Sequence, residues 1–179
     1  MLHLRIILLS LLAGATLAVG ATAAVAFPTM KSLGPVLEAY ASWPDPHWPI
    51  AAGAVANVLF RSLDWMALGV AVAALLSLAP PGSRPARGLV GTLCAVSIVG
   101  LCAVVAINWA WLRPTMHEHL SAFWTAAGAG DVDAGRVERA AFDRLHPIAS
   151  WCMYAQLAFT LIGAATSRHR KPTPGSCCV

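Results

Sequence analysis

Four long apolar stretches, each close to the thickness of a lipid bilayer, most restrict what this chain can fold into. They cover about 6–27, 55–79, 88–112 and 148–166. At about 1.5 Å of rise per residue, about 20 residues of helix cross the roughly 30 Å hydrocarbon layer. None of the four alternates with the period of a barrel strand, and an unpaired backbone group in lipid costs several kcal/mol, so helix is the expected state. Composition agrees: 58% of residues are hydrophobic and only 11% charged, against about 25% charged in soluble domains. A chain of 179 residues is too short to bury that much apolar surface within itself. The expected fold is all-α, an integral membrane bundle of four transmembrane helices. It forms a single domain over 1–171, followed by a disordered cytoplasmic tail over 172–179.

Proline and glycine mark the breaks. Pro28 stops the first helix, and Lys31 to Pro49 also contains Pro35, Pro44 and Pro46. PPGSRPARG, Pro80 to Gly88, is a tight turn between antiparallel neighbours, and AAGAGDVDAG, Ala126 to Gly135, is the most flexible part of the longest loop. That loop is expected to be partly helical, with Asp133 or Asp131 capping a helix from about Ala134 into the fourth span. The tail KPTPGSCCV has a disordered composition, and its SCCV end lacks the cysteine position of a prenylation box. The first stretch has two readings. Arg5, an apolar run and AVA at Ala24 to Ala26 fit a secretory signal, whereas an apolar length of about 20 residues exceeds the usual h-region of about 7–15 and fits a retained anchor.

Four crossings put both termini on one side. That side carries Arg5, Arg84, Arg87, Arg168, Arg170 and Lys171 and no acidic residue. The other carries Lys31, Arg113, Arg136, Arg139 and Arg144 with seven carboxylates. The orientation rule weights cations near helix ends. Arg136 and Arg139 lie mid-loop, so both termini are expected in the cytoplasm, with the chain a multi-pass protein of the bacterial inner (plasma) membrane. Trp43, Trp48, Trp65, Trp109, Trp111, Trp124 and Trp151 all fall towards the opposite side. Indoles favour the headgroup layer, so they read as one aromatic rim or as the mouth of a binding site.

An ionisable group at mid-bilayer costs about 2.5–3.5 kcal/mol on insertion scales, so each needs a reason. Arg61 and Asp64 share a helix face at i, i+3 and can pair locally near the hydrocarbon edge, or form the polar floor of a cavity that Asn57, one turn earlier, extends. Asn108 and Gln156 are expected to make interhelical hydrogen bonds. Met116, His117, His119 and His146 are the densest potential ligands. Two histidines at i, i+2 diverge on a regular helix, so this set converges only if the segment is irregular. A thioether with imidazoles suits copper; haem is the other cofactor such histidines could hold. Water and headgroups satisfying interfacial histidines is the plainer reading. Cys94, Cys102 and Cys152 read as small apolar residues in the spans.

No P-loop, G-x-G-x-x-G, G-x-S-x-G or H-E-x-x-H occurs, and HEHLS has the wrong spacing for a zinc protease. No basic stripe interleaved with aromatics points to nucleic acid. The expected partners are the lipid bilayer, anionic lipid at the cytoplasmic rim and a second copy of the chain in a homo-oligomer.

VERAAFDRLHPIASWCMYAQL, Val137 to Leu157, places Phe142, Leu145 and His146 as F-x-x-L-H at the start of the last span. Earlier, AAGAVANVLFRSLDWMALGVA opens the second span after a helix ending in AFPTMKSL. This order resembles the transmembrane-protein-205-like family (domain of unknown function 4149), small proteins with four predicted spans. Ser150 matches the small polar residue that members carry after the histidine, while Met153 and Tyr154 stand where an asparagine is usual. The resemblance implies a membrane protein without a settled biochemical activity; a eukaryotic relative is associated with drug resistance. The site expected from these readings gathers Asn57, Arg61, Asp64, Phe142 and His146 on the side away from the termini. The expected function is non-enzymatic: small-ligand binding, transport or scaffolding. The alternatives are a copper- or haem-binding protein of the copper-resistance type and an intramembrane enzyme subunit.

Overall fold

Helix is the main regular structure the chain can form in its apolar stretches, and it extends well beyond them. The computed structural model describes residues 2–78 and 88–168. The first helix, α1, is Leu2–Leu33, and a single 3-10 turn, Glu38–Tyr40, lies in the proline-rich connection that follows. Next come α2, Trp48–Leu76, and α3, Leu89–Ile107. A π-turn over Asn108–Leu112 then joins α3 to α4, Arg113–Ala129, and α5 is Val132–Arg168. Four helical rods are each long and apolar enough to cross a membrane, the third being α3 and α4 together. The expected turn at 80–87 and the tail at 172–179, with Cys177 and Cys178, lie outside the described residues.

The bundle closes as a ring in which α1 packs on α2 and α5, and α3 on α2 and α5. Its core holds Leu9 and Leu12 of α1, Leu63 and Val70 of α2, Ile98 and Leu101 of α3. Ala67, Ala71 and Ala74 keep the buried stripe of α2 small, which lets its backbone approach its neighbours. Gly100 is needed where the Phe159 ring lies against α3: a Cβ there would sit 2.6 Å from two ring carbons. Polar groups inside the bundle are satisfied across helices, as expected for Gln156, whose Nε2 donates to Thr16 Oγ1 at 3.3 Å. Cys94 lies 3.6 Å from Ser167 Oγ. These contacts bring the start of α3 and the end of α5 together, and so define a terminal end of the bundle.

The outward faces are apolar where a soluble protein would be polar. Leu11, Val58, Leu76 and Val99 are exposed. Below the far end of the bundle, this outer surface matches hydrocarbon.

The far end differs most from expectation. Pro28 does not stop α1, which continues to Leu33. A proline removes one i→i−4 hydrogen bond, and this single loss near a helix end is tolerated. The stop comes at Gly34, whose left-handed φ of 56° turns the chain away. The connection between the third and fourth spans, expected to be partly helical, is helical almost throughout: α4 reaches Ala129 and α5 resumes at Val132, forming a helical hairpin. Gly130, φ 74°, closes α4 with Asp131 N donating to Ala126 O at 3.0 Å and its own N to Ala127 O at 3.2 Å, the bond pair of a Schellman cap. Asp131 Oδ1 then accepts from Ala134 N at 3.1 Å and caps α5. Of Asp131 and Asp133, Asp131 is the one that caps, and α5 begins at Val132.

This hairpin and the proline-rich connection form a cap with its own core of Trp43, Ile50, Phe123 and Ala127. The Trp43 ring lies so close to α5 that a Cβ on Gly135 would meet it at 2.6 Å. His47 ties the connection together. Leu37 N donates to its Nδ1 at 2.9 Å, so the ring carries its proton on Nε2, 3.4 Å from Trp43 O. Arg136 reaches Asp45 at 3.5 Å and His119 Nδ1 meets Glu138 Oε2 at 2.7 Å, linking the cap's parts.

Candidate functional site

The π-turn carries the local cause of the site. Pro114 has no N–H for the Ala110 carbonyl and would clash with it in a regular helix. The chain widens there, and Arg113 N bonds Asn108 O instead. Five residues of regular helix turn through about 500°, which would leave Asn108 and Arg113 about 140° apart. The wider turn brings both onto the side of Asp64.

Asp64 is the centre of the resulting network. Its Oδ2 pairs with Arg113 Nε, its Oδ1 accepts from Asn108 Nδ2 at 2.8 Å, and its backbone carbonyl accepts from Trp109 Nε1 at 3.2 Å. The Asp64 side chain is 14% exposed and that of Arg113 26%. Both carboxylate oxygens are therefore occupied, one by the π-turn and one by α4. The expected local pair between Arg61 and Asp64 does not form. Arg61 is exposed and has no carboxylate within salt-bridge distance among the described residues. The i, i+3 spacing put both residues on one side of α2, but the carboxylate turns to the neighbouring helix, where two donors wait.

This network forms one end of a cavity of about 440 Å³ between the bundle and the cap. Gly20, Ala23 and Phe27 of α1 and Gly53 and Phe60 of α2 form apolar walls, and Met116, Leu120 and Phe123 of α4 supply the roof. Asn57, Asp64, Asn108 and Arg113 provide the polar end, while Phe142, His146 and Gln156 come from α5. Asp143 and His146 are exposed while lining it, so the cavity opens along that face of α5. Four charged groups line it, Asp64 and Asp143 against Arg113 and Arg139, so its fixed charge sums to zero. Arg139 and Asp143 also face each other at 3.9 Å.

Of the five expected site residues, Asn57, Asp64, Phe142 and His146 line this cavity. Phe142 and His146 also stack obliquely, with ring centroids 5.9 Å apart. Arg61 lines a separate groove of about 320 Å³ with Trp65, Trp109 and His117, on the other side of the Asp64–Arg113 pair. Asn57, Asp64 and Arg113 border both spaces, so the ion pair is the partition between them.

The expected ligand set of Met116, His117, His119 and His146 does not assemble. Residues 117 and 119 sit on a regular stretch of α4, about 200° apart. His119 is taken by Glu138, His117 faces the groove, and only Met116 and His146 share the cavity. Among the described residues no three His, Cys, Asp or Glu are placed to hold a metal ion. Asn108 makes the interhelical hydrogen bond expected of it, to Asp64, whereas sequence reasoning missed Arg113 as Asp64's partner, Arg139 and Asp143 as cavity residues, and Cys152 as part of the wall. The proline at 114, directly after Arg113, was the one signal that the helix register changes there.

The single aromatic rim also divides. Trp43 and Trp124 belong to the cap's core, Trp48 lines the cavity, and Trp65 stacks edge-on with Trp109 at 4.4 Å. Trp65, Trp111 and Trp151 remain exposed. No family model matches the chain, and no curated protein or solved structure matches it.

Proposed function

We propose that the chain is a non-enzymatic multi-pass membrane protein whose capped cavity binds a small amphipathic molecule. The observation that carries this reading is the cavity's division into a long apolar part and one polar end built on Asp64, Asn108 and Arg113. Binding sites of this kind are mostly apolar with a few convergent polar groups that fix orientation, and about 300–1,000 Å³ is their usual range. Zero net fixed charge favours an uncharged or zwitterionic head over an anion or cation. The opening beside Asp143 and His146 offers a path from the outer edge of the bundle. A transporter or a scaffold would use the same cavity, the first by exchanging its content and the second by presenting it.

The same reading places the protein in the bacterial inner (plasma) membrane with both termini cytoplasmic and the cap outside. The acid-free cation set at the terminal end supports it. Membership of the transmembrane-protein-205-like family is part of the proposal, and it is supported by the F-x-x-L-H residues Phe142 and His146 meeting on the cavity wall.

The test uses purified protein in lipid nanodiscs and a long-chain zwitterionic amphiphile with a brominated tail. It reads the part of the tryptophan emission quenched in the parent chain but not in Trp48→Phe, Trp48 being the tryptophan that lines the cavity. Saturable quenching is expected, and it should be lost in Gly53→Leu, a position that lines the cavity with open space beyond its Cα. Non-saturable quenching, or quenching unchanged in Gly53→Leu, would overturn the reading.

A further inference from the structure

The groove on the far side of the Asp64–Arg113 partition has the opposite character to the cavity. Its charged lining is Arg61, Arg113 and Asp64, which leaves a net charge of +1 before His117 is counted. Asp64 cannot neutralise Arg61, because both of its oxygens are held by Arg113 Nε and Asn108 Nδ2. Arg61 therefore presents a guanidinium with five N–H donors, exposed and without a carboxylate partner among the described residues. Arg113 meets Asp64 through Nε, which leaves its terminal nitrogens as further donors. Guanidinium pairs of this kind match the oxygens of a phosphate.

The rest of the groove says what the phosphate is attached to. Trp65 and Trp109 stack edge-on beside the two arginines, and Trp65 is 56% exposed. Indole rings of this exposure sit at headgroup depth. Two turns beyond Trp65, towards the terminal end of the bundle, Val72 on the same face of α2 is exposed and apolar and suited to acyl chains. A donor-rich pocket at headgroup depth, bordered by indoles and open to an apolar surface, fits a lipid better than a soluble ion.

We propose that this groove holds the phosphate of an anionic phospholipid from the leaflet on the cap side, bound by Arg61 and Arg113 with the Trp65–Trp109 pair against the glycerol. This inference rests on the bilayer placement and is independent of what the cavity binds. It locates a specific lipid at the end of the bundle away from the basic terminal rim.

Native mass spectrometry of the full chain, released from an uncharged detergent, tests it with three probes: phosphatidylglycerol, phosphatidylcholine and inorganic phosphate. One phosphatidylglycerol should be retained at a concentration at least about tenfold below that needed for phosphatidylcholine, as expected for charge-assisted hydrogen bonds to an anion. Arg61→Gln should remove that preference, and Arg61→Lys, which keeps the charge but not the fork, should keep part of it. Far-ultraviolet circular dichroism establishes that each variant retains its helices. Equal retention of the two lipids, or a preference that survives in helical Arg61→Gln, overturns the proposal. Inorganic phosphate displacing phosphatidylglycerol at equal concentration overturns the lipid assignment in favour of a soluble phosphate. Loss of all lipid retention in the parent chain likewise overturns it.

Discussion

Removing Arg113 should cost more than removing the charge of Asp64, although the two form one ion pair. Breaking a fully buried pair by deleting one partner costs about 3–5 kcal/mol, because the survivor is left charged and unpaired. Here the Asp64 side chain is 14% exposed and that of Arg113 26%, so solvent screening reduces this to about 2–3 kcal/mol for Arg113→Met. The stranded Asp64 keeps one side-chain bond, from Asn108 at 2.8 Å, and stays mostly shielded from water. Asp64→Asn is milder. The amide oxygen still accepts a hydrogen bond, and the long stem of Arg113 can carry its charge outward, for a cost of about 1 kcal/mol. The double variant should recover most of the loss, giving a coupling of about 2 kcal/mol. Unfolding in mixed micelles with increasing sodium dodecyl sulfate, followed by far-ultraviolet circular dichroism on all four proteins, measures each quantity. Asp64→Asn costing as much as Arg113→Met, or strictly additive single effects, would refute the network as drawn.

The cap offers a second check. Gly135→Ala drives a methyl to within 2.6 Å of the Trp43 ring, and overpacking of this kind costs about 1–3 kcal/mol; hydrogen exchange should rise in the proline-rich connection while the bundle stays protected. In the bundle, Gly100→Ala meets the Phe159 ring at the same distance and should lower thermal stability by a similar amount without changing cap exchange.

The spans were legible because length and apolarity are properties of a stretch, insensitive to which neighbour it meets. Gln156 was legible as an interhelical hydrogen-bond donor for a related reason: a polar group among apolar ones must find a partner. Pairings were less legible. Arg61 and Asp64 are three residues apart, yet Asp64 selects Arg113, 49 positions away, because the π-turn before Pro114 rotates that side chain into reach. Glycine misled at the hairpin. Ala126 to Gly135 reads as a loose run, but Gly130 and Asp131 fill the two capping positions of a two-residue turn, and Gly135 admits Trp43. The same packing withdraws Trp43 and Trp124 from the rim to which indole preference alone assigned them. His117 and His119 diverge as the regular period of α4 requires.

If the capped cavity is a ligand site, it is filled in the membrane. A cryo-electron-microscopy map of the full chain in a native-lipid nanodisc should then show elongated density between Phe27, Phe60 and Met116, with its polar end against Asn108 and Arg113. A cavity closed by its own side chains, with Phe60 and Phe123 in contact across it, would contradict the claim.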